Sequence, residues 1–322
     1  MQLQTTWGWL IAVYFFLGGL GAGAFCTVAL IALLSGERFK ATIRFGAWAS
    51  AIVIAVGTLA LLADVGVPLR ALVMYNSFVN LNSWMARGAW ILFFAILLNG
   101  LFALWWTDAA LTRAGRIWKP LVEQRALWRA IVAAIGILLN LGVAVYTGIL
   151  LNVLPFRPFW NTDILPVLFT VSALDTGLGL ITAYATLRER ANGVERLRLI
   201  LEAFVILLIL AEGAVLAYYL QTMMGGVIDA VRSAQLLLNG ALSPLFWGGV
   251  VGFGLLVPLL VCVVQLSGLG KRFRPGVAPV IAISSCLIGG FTLRMVVLLA
   301  GLPQMLSSPA LLQILAGVRF AP

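Results

Sequence analysis

Long apolar runs alternate with short connections along the sequence, and the connections hold most of the charged residues. The runs cover, approximately, residues 9–34, 45–67, 86–106, 128–152, 164–187, 198–223, 245–267 and 277–301. Each exceeds the ~18 residues with which a helix, rising about 1.5 Å per residue, crosses a hydrocarbon layer of about 30 Å. The alternating ten-residue segments that are typical of membrane barrels are not seen. The pattern therefore predicts an all-α integral membrane protein with eight transmembrane helices.

The composition supports a membrane protein. Of the 322 residues, 62% are hydrophobic and 10% are charged, which is far more apolar than a soluble globular domain. The first run lacks a preceding positive segment and is too long for the apolar part of a signal peptide. We therefore expect it to be a retained first helix.

Lysine and arginine orient the predicted helices. The connections after the first, third, fifth and seventh runs hold 15 of the 21 basic residues. Under the positive-inside rule these connections are cytoplasmic, and both termini lie on the outer, periplasmic side. The net charge of +10 is thus an orientation signal, and no basic patch with interleaved aromatics in a soluble domain predicts binding to nucleic acid.

The predicted outer connections are long and only weakly polar. They cover residues 68–85, 153–163, 224–244 and the tail 302–322. Apolar stretches at a membrane surface form either interfacial helices or a platform on which another subunit docks, and the sequence leaves both open.

Ionisable residues inside membrane spans are costly and mark functional positions. Those within the predicted helices are Asp64, Asp175, Glu212 and Arg294. All but Asp175 fall in the outer half of the membrane, together with Tyr14 and Tyr146. These groups either form structural pairs, Glu212 with Arg294 and Asp64 with Arg70 or Arg87, or line a polar site.

A regular spacing predicts an internal repeat. Asp64 and Glu212 are 148 positions apart, as are Tyr146 and Arg294. The second helix would then correspond to the sixth, and the fourth to the eighth. This predicts two four-helix bundles, the first over residues 1–154 with a polar site and the second over 155–322 with the periplasmic tail.

The first helix contains a glycine-rich segment, YFFLGGLGAGAF, at residues 14–25. Gly19 and Gly23 form a pair of small residues four positions apart, which lets helices approach closely in lipid. Alternatively, the bare backbone leaves a groove for a flat ring or an isoprenoid tail beside Tyr14.

The sequence has no histidine, and its cysteines, Cys26, Cys262 and Cys286, occur singly in different predicted helices. Transmembrane haem needs axial ligands that are most often histidines, and iron–sulfur or zinc sites need clustered cysteines. We therefore expect no haem, iron–sulfur cluster or other metal on this protein. A redox partner molecule would have to be organic and lipid-soluble.

Three segments resemble the NrfD/PsrC family, the membrane subunits of polysulfide-reductase-type complexes. They are WGWLIAVYFFLGGLGAGAF (7–25), SWMARGAWILFF (83–94) and YTGILLNVLPFRPFWNTDILPVLFTVSALDTGLG (146–179). The resemblance implies a haem-free anchor of a respiratory oxidoreductase in the bacterial inner membrane. It also implies a quinone (menaquinone or ubiquinone) as exchangeable substrate, a periplasmic iron–sulfur subunit with four clusters, and a molybdopterin catalytic subunit.

The resemblance also implies roles for particular residues. The tyrosine that begins the YTG motif, Tyr146, would contribute to the quinone site, and Tyr14 stands where some members have a histidine. Asp64 matches an acidic residue late in the second helix and would accept or relay the proton. Asp175, Glu212 and Arg294 are candidates for a proton relay or for pinning helices together.

We expect electrons to leave through the 153–163 connection, with Arg157, Phe159 and Trp160 as partner contacts, although Arg157 is equally consistent with an interfacial anchor. The protein would not be catalytic alone, but would oxidise quinol as part of a complex.

Two alternative functions remain open. Repeats and intramembrane charges are also typical of secondary transporters, and a purely structural membrane anchor would need no quinone site.

Overall fold

The computed structural model describes residues 7–64, 80, 82–108, 124–267 and 276–304. Within these residues every regular element is helical. The elements are α1 (Trp9–Ser35), α2 (Lys40–Asp64), α3 (Trp84–Trp105), α4 (Arg125–Asn152), α5 (Ile164–Arg188), α6 (Val194–Met224), α7 (Ile228–Leu238), α8 (Leu245–Leu266) and α9 (Val277–Ala300).

Eight of these helices, all but the short α7, are long and apolar enough to cross a membrane. The predicted all-α fold with eight transmembrane helices is therefore confirmed for the described part of the protein. The placement of the termini on the periplasmic side stays a prediction. Most of the 68–85 connection and of the 302–322 tail lies outside the described residues.

Several helices begin before the apolar runs that predicted them. The helix α2 begins at Lys40 rather than at residue 45, and α4 begins at Arg125 rather than at residue 128. Hydropathy detects only the part of a helix that crosses hydrocarbon, whereas a polar turn continues the helix into the interface, where long basic side chains reach water.

The seventh span, α8, departs from a regular helix. Residues Leu245–Leu256 are wound as a π-helix and Val257–Leu266 as an α-helix. Pro258 has no N–H, and in a regular α-helix its ring would collide with the carbonyl of Gly254, so the backbone ahead of it winds more loosely. Gly254 also packs directly on Gly289 of α9, since a Cβ at Gly289 would overlap the Gly254 backbone.

The spans form two rings of four helices. In the first ring α1 and α3 each contact α2 and α4, and in the second ring α5 and α8 each contact α6 and α9. The rings meet where α1 packs on α5 and α9, with further contacts from α2 and α4 to α5. This is the two-bundle arrangement that the repeat predicts, while the exact domain boundary after residue 154 stays a prediction.

Close backbone packing joins the two bundles. A Cβ on Gly23 of α1 would overlap the carbonyl oxygen of Ala173 on α5, and a Cβ on Gly177 would overlap the backbone of Gly23. Lipid provides no hydrophobic drive between helices, so such small residues allow the close approach on which dispersion contacts depend. Gly23 therefore lies at the contact between the bundles.

Polar contacts tie the helix ends together on the side that the basic residues predict to be cytoplasmic. The Glu189 carboxylate, at the end of α5, accepts hydrogen bonds from the Thr42 backbone N–H at 2.9 Å and the Thr42 hydroxyl at 2.8 Å, and so caps the start of α2. Arg38 donates to the carbonyl of Asn192 at 2.7 Å. Both contacts cross from the first bundle to the second.

Within the first bundle, Arg129 of α4 has a comparable role. It donates to the Trp105 carbonyl at 2.8 Å, pairs with Glu37 at 2.5 Å, and lies 4.2 Å from the centre of the Trp106 ring. It thereby satisfies a carbonyl at the end of α3 and links this helix to the α1–α2 connection.

We predict that Arg129→Ala lowers the free energy of unfolding by about 2 to 3 kcal/mol, because it leaves the buried Trp105 carbonyl without its donor and removes the closer of the two arginines that pair with Glu37. Thermal unfolding of the detergent-solubilised protein measures this. The matched control is Arg125→Ala, since Arg125 also reaches Glu37, at 3.5 Å, but is half-exposed, and we expect less than about 1 kcal/mol.

The same contact has a defined pH dependence. The hydrogen bond from Arg129 holds the pKa of Glu37 below its usual value. A carboxylate with a lowered folded-state pKa stabilises the fold above its ordinary pKa, and this stabilisation is lost as the pH falls through the lowered value. The difference between wild type and Arg129→Ala should therefore shrink on acidification, and a difference that stays constant would contradict this account.

Candidate functional site

Tyr14 lies in the second turn of α1 and is completely buried. Its hydroxyl has no hydrogen-bond partner among the described residues. Burying such a group without a partner costs about 1 to 3 kcal/mol, so buried hydroxyls are almost always paired. The position is therefore suited to a polar partner from outside the described residues.

Tyr146 of α4 lies on the neighbouring side of the first bundle. Its ring rests on Gly88 of α3, where any Cβ would overlap the ring. Tyr14 approaches the same part of α4: a Cβ on Gly18 would lie 3.8 Å from the Tyr14 ring and 3.7 Å from the Thr147 methyl group. Both tyrosines belong to the same cluster of packed buried residues. The structure thus brings the two predicted tyrosines together between α1, α3 and α4.

Asp64 is the last residue of α2, and its side chain is exposed. Its carboxylate oxygen would lie 3.5 Å from a Cβ on Gly8, immediately before α1. Gly8 precedes Tyr14 by six residues, or about 9 Å of helix rise. Asp64 therefore lies at the end of the bundle above Tyr14, near the surface. Of its two predicted pairing partners, Arg70 is outside the described residues, and Arg87 lies over the Trp84 ring.

Arg294 of α9 is completely buried where the two bundles meet. Its guanidinium donates to the Phe15 carbonyl at 3.2 Å, the Ser172 hydroxyl at 3.0 Å and the Gly290 carbonyl at 2.7 Å. One guanidinium nitrogen has no partner among the described residues. This nitrogen would lie 2.8 Å from a Cβ on Gly19, so the glycine leaves the space that it occupies.

The predicted pair of Glu212 with Arg294 is not a direct ion pair in the described structure. Ser172 of α5 stands between them: its hydroxyl accepts from Arg294 and also interacts with the buried Glu212 carboxylate of α6. One turn further along α5, Asp175 accepts a hydrogen bond from the Cys286 thiol at 3.5 Å. The other oxygen of Asp175 is buried without a partner in the described residues.

A further carboxylate, which the sequence analysis did not single out, extends this polar cluster. Glu202 of α6 is buried, and one of its oxygens forms an ion pair with Arg198, one turn earlier on the same helix, at 3.7 Å but accepts no hydrogen bond among the described residues. It lines a small cavity together with Cys262, Gln265 and Cys286. The cavity measures about 20 Å³, which is room for about one water molecule. Glu202 lies within the predicted span 198–223, so the rule that selected Glu212 would also have found it.

The 153–163 connection is folded against the second bundle. Phe159 and Trp160 are completely buried; Tyr219 donates to the Phe159 carbonyl, and the Trp160 indole donates to the Val297 carbonyl at 2.8 Å. Arg157 lies over the Trp160 ring and donates to the Gly301 carbonyl. Neither buried aromatic presents a surface to a partner. The exposed aromatic of this connection is Phe156, at 76%.

Within the described residues, no group of three or more histidine, cysteine, aspartate or glutamate side chains is placed to hold a metal ion. The sequence-based expectation that the protein has no haem and no iron–sulfur cluster of its own stays a prediction.

The fold and the buried residues define a polytopic membrane protein with two packed four-helix bundles and a pair of buried tyrosines at one end of the first. The family described as polysulphide reductase, NrfD, matches residues 1–305. The chain belongs to this family, as its sequence motifs predict.

Individual relatives agree. The sequence is 31% identical to one chain of the polysulfide reductase of Wolinella succinogenes over 281 residues, which amount to 82% of this protein and 84% of that one. It is 27% identical to protein NrfD of Escherichia coli, with coverage of 92% and 94%. It is 22% identical to one subunit of the selenate reductase of Mesobacillus selenatarsenatis, with coverage of 85% and 70%.

Proposed function

We propose that this protein is the quinone-exchanging membrane subunit of a respiratory reductase in the bacterial inner membrane. The observation that carries the proposal is the Tyr14 hydroxyl, which is buried beside Tyr146 and has no partner among the described residues. A quinone carbonyl accepts hydrogen bonds, and its apolar ring and tail suit a site that opens between transmembrane helices.

The arrangement supports oxidation of a quinol at this end of the first bundle. Tyr14 and Tyr146 would hydrogen-bond the oxygens of the bound ring and hold it in place. Oxidation releases protons together with electrons, and Asp64, exposed at the end of α2 next to Gly8, would take a proton toward the outer surface. A carboxylate at the surface can pass the proton on to water.

The released electrons need an acceptor outside this protein. The relatives that are named as components of polysulfide and selenate reductases support a multi-subunit complex. We propose a periplasmic iron–sulfur subunit as the immediate acceptor, and a molybdopterin subunit that uses the electrons. The exposed Phe156, on a connection held in place by buried Trp160, is the contact that we propose for the iron–sulfur subunit.

In the second bundle we propose a proton relay. Glu202, Asp175 and Glu212 provide buried carboxylates at successive depths, and Ser172 connects Glu212 to Arg294. The Phe15 carbonyl that accepts from Arg294 directly follows Tyr14 in the sequence. The unpartnered oxygen of Asp175 supports this role, because a structural pair would satisfy both oxygens of the carboxylate.

The relatives favour this function over a secondary transporter, because the named proteins that the sequence resembles include components of two reductases. A purely structural anchor would explain neither the unpartnered Tyr14 hydroxyl nor the partly satisfied carboxylates of the second bundle.

The first prediction from this proposal concerns the quinone site. In the purified complex, Tyr14→Phe and Tyr146→Phe should each slow the reduction of the iron–sulfur clusters by quinol about tenfold, the loss expected for one hydrogen bond to the reacting ring. Asp64→Asn should slow it through proton release. Absorbance changes of the clusters measure the rate.

The matched control is Tyr218→Phe, which removes an exposed phenol hydroxyl from α6 and should leave the rate unchanged. If both buried tyrosines can be replaced in an assembled complex without slowing cluster reduction, the quinone does not bind between them, and the proposal fails.

The second prediction concerns the relay. In liposomes that contain the complex and a pH-sensitive dye, Glu212→Gln and Asp175→Asn should reduce proton movement across the membrane during quinol oxidation at least about tenfold. Glu195→Gln is the control, since Glu195 is exposed at the start of the same helix. Proton movement that is equal in all these variants would show that the carboxylates only hold helices together.

The third prediction concerns docking. Phe156→Ala should weaken retention of the iron–sulfur subunit about tenfold, as expected for an exposed aromatic that becomes buried in an interface. Co-purification at increasing salt and detergent measures retention. Phe253→Ala, which truncates an exposed aromatic within the span α8, is the control. Unchanged retention in Phe156→Ala would place the docking surface elsewhere.

A further inference from the structure

A groove runs between α2 and α5 at the end that the basic residues predict to be cytoplasmic. It measures about 400 Å³ and lies on the outside of the bundles, where the first bundle meets the second. Its lining residues are Ala41, Arg44, Phe45, Trp48, Ala49, Ile52 and Tyr184. The groove belongs to neither the proposed quinone site nor the buried carboxylates.

Two arginines at this end of the groove form no direct ion pair with an acidic side chain among the described residues, although the Asp108 carboxylate acts on Arg44 through space. Arg44 is exposed and forms no ion pair or side-chain hydrogen bond with any described residue. Arg188 is likewise exposed and unpaired within the described structure, and it lies one turn beyond Tyr184 on the same face of α5. The nearby Asp108 is bound to Lys40 at 2.5 Å.

The floor of the groove is built from fixed aromatic rings. The Phe45 and Tyr184 rings are stacked at 3.9 Å with an angle of 3° between their planes. The Trp48 indole donates to the Thr107 hydroxyl at 3.1 Å. Tryptophan and tyrosine are favoured at the depth of lipid headgroups, where one end of the ring system is apolar and the other is polar.

Toward the membrane interior the lining becomes apolar. Ala49 and Ile52 follow Trp48 along α2, so the groove is charged at one end and hydrocarbon-like at the other. Its natural occupant is therefore amphipathic, with an anionic head and a long apolar tail. Basic recesses between transmembrane helices on the cytoplasmic side are suited to anionic phospholipid headgroups.

We propose that this groove binds an anionic phospholipid across the contact between the two bundles. The phosphodiester contacts Arg44 and Arg188, the glycerol region lies over the Phe45–Tyr184 stack, and an acyl tail follows Ala49 and Ile52. The lipid joins α2 to α5 on the outside, opposite the buried packing of Gly23. This role does not depend on quinone exchange.

The test is native mass spectrometry of the full-length protein, purified in detergent and supplied with cardiolipin, phosphatidylglycerol or phosphatidylcholine. We expect the two anionic lipids to remain bound and phosphatidylcholine to be lost. Retention of cardiolipin alone would assign both phosphates of one lipid to the two arginines, and equal retention of phosphatidylglycerol would assign a single phosphodiester; either result supports the proposal.

Variants distinguish the groove from general surface charge. Arg44→Gln and Arg188→Gln should each weaken retention of the anionic lipid about fivefold, the contribution expected of one basic side chain near a lipid phosphate. Ala49→Leu, which changes no charge, should also weaken it by filling the groove. The control is Arg196→Gln, because Arg196 is an exposed arginine at the start of α6, a helix that contributes no residue to the groove.

Three results would overturn the proposal. The first is that phosphatidylcholine is retained as well as the anionic lipids. The second is that Arg196→Gln loses as much anionic lipid as Arg44→Gln does. The third is that Ala49→Leu, Arg44→Gln and Arg188→Gln all retain the anionic lipid as the wild type does. The thermal unfolding of each variant without added lipid shows whether it is folded, so that loss of lipid is not confused with loss of structure.

Discussion

The buried guanidinium of Arg294 constrains the whole interior. A charge within a membrane span costs several kcal/mol unless neighbouring groups satisfy it. Here the groups that do so come from three helices: the Phe15 carbonyl of α1, the Ser172 hydroxyl of α5 and the Gly290 carbonyl of α9 itself. These contacts require α1 to lie against α5 and α9, which is the arrangement that joins the two bundles.

The glycine-rich segment of α1 follows from the same constraint. Gly19 leaves space for the unpartnered nitrogen of Arg294, and Gly23 lets the α1 and α5 backbones touch one turn further along. The sequence alone was consistent with either helix packing or a groove at these glycines. In the structure the two glycines serve helix packing and make room for the charged Arg294 side chain. Neither of these two glycines faces Tyr146, whose ring rests on Gly88 instead.

The number and the type of the helices could be predicted because hydropathy reports the solvent around each span, and the membrane admits few alternatives. The π-helical winding of α8 could not, because the apolar run has the same hydropathy in either winding. Likewise, Arg294 and Glu212 stood out as charges in lipid, whereas Ser172, which lies between them, is an ordinary helix residue.

The 153–163 connection shows a different limit: aromatic side chains are favoured in a protein core, at a lipid interface and in a subunit interface alike. Only Phe156 of its aromatics is exposed, because the Phe159 ring packs on Tyr219 of α6 and the Trp160 indole donates to the Val297 carbonyl of α9.

The two proposed activities of the interior meet at adjacent residues of α1. Arg294 binds the carbonyl of Phe15, and the preceding residue is Tyr14, whose ring lies in the quinone site that we propose for the first bundle. Any change in how Arg294 is satisfied, for instance a change in the charge of Glu212 acting through Ser172, therefore acts on the turn of α1 that positions the Tyr14 hydroxyl. The contact of Arg294 with α1 therefore links the proposed relay of the second bundle to the proposed quinone site of the first.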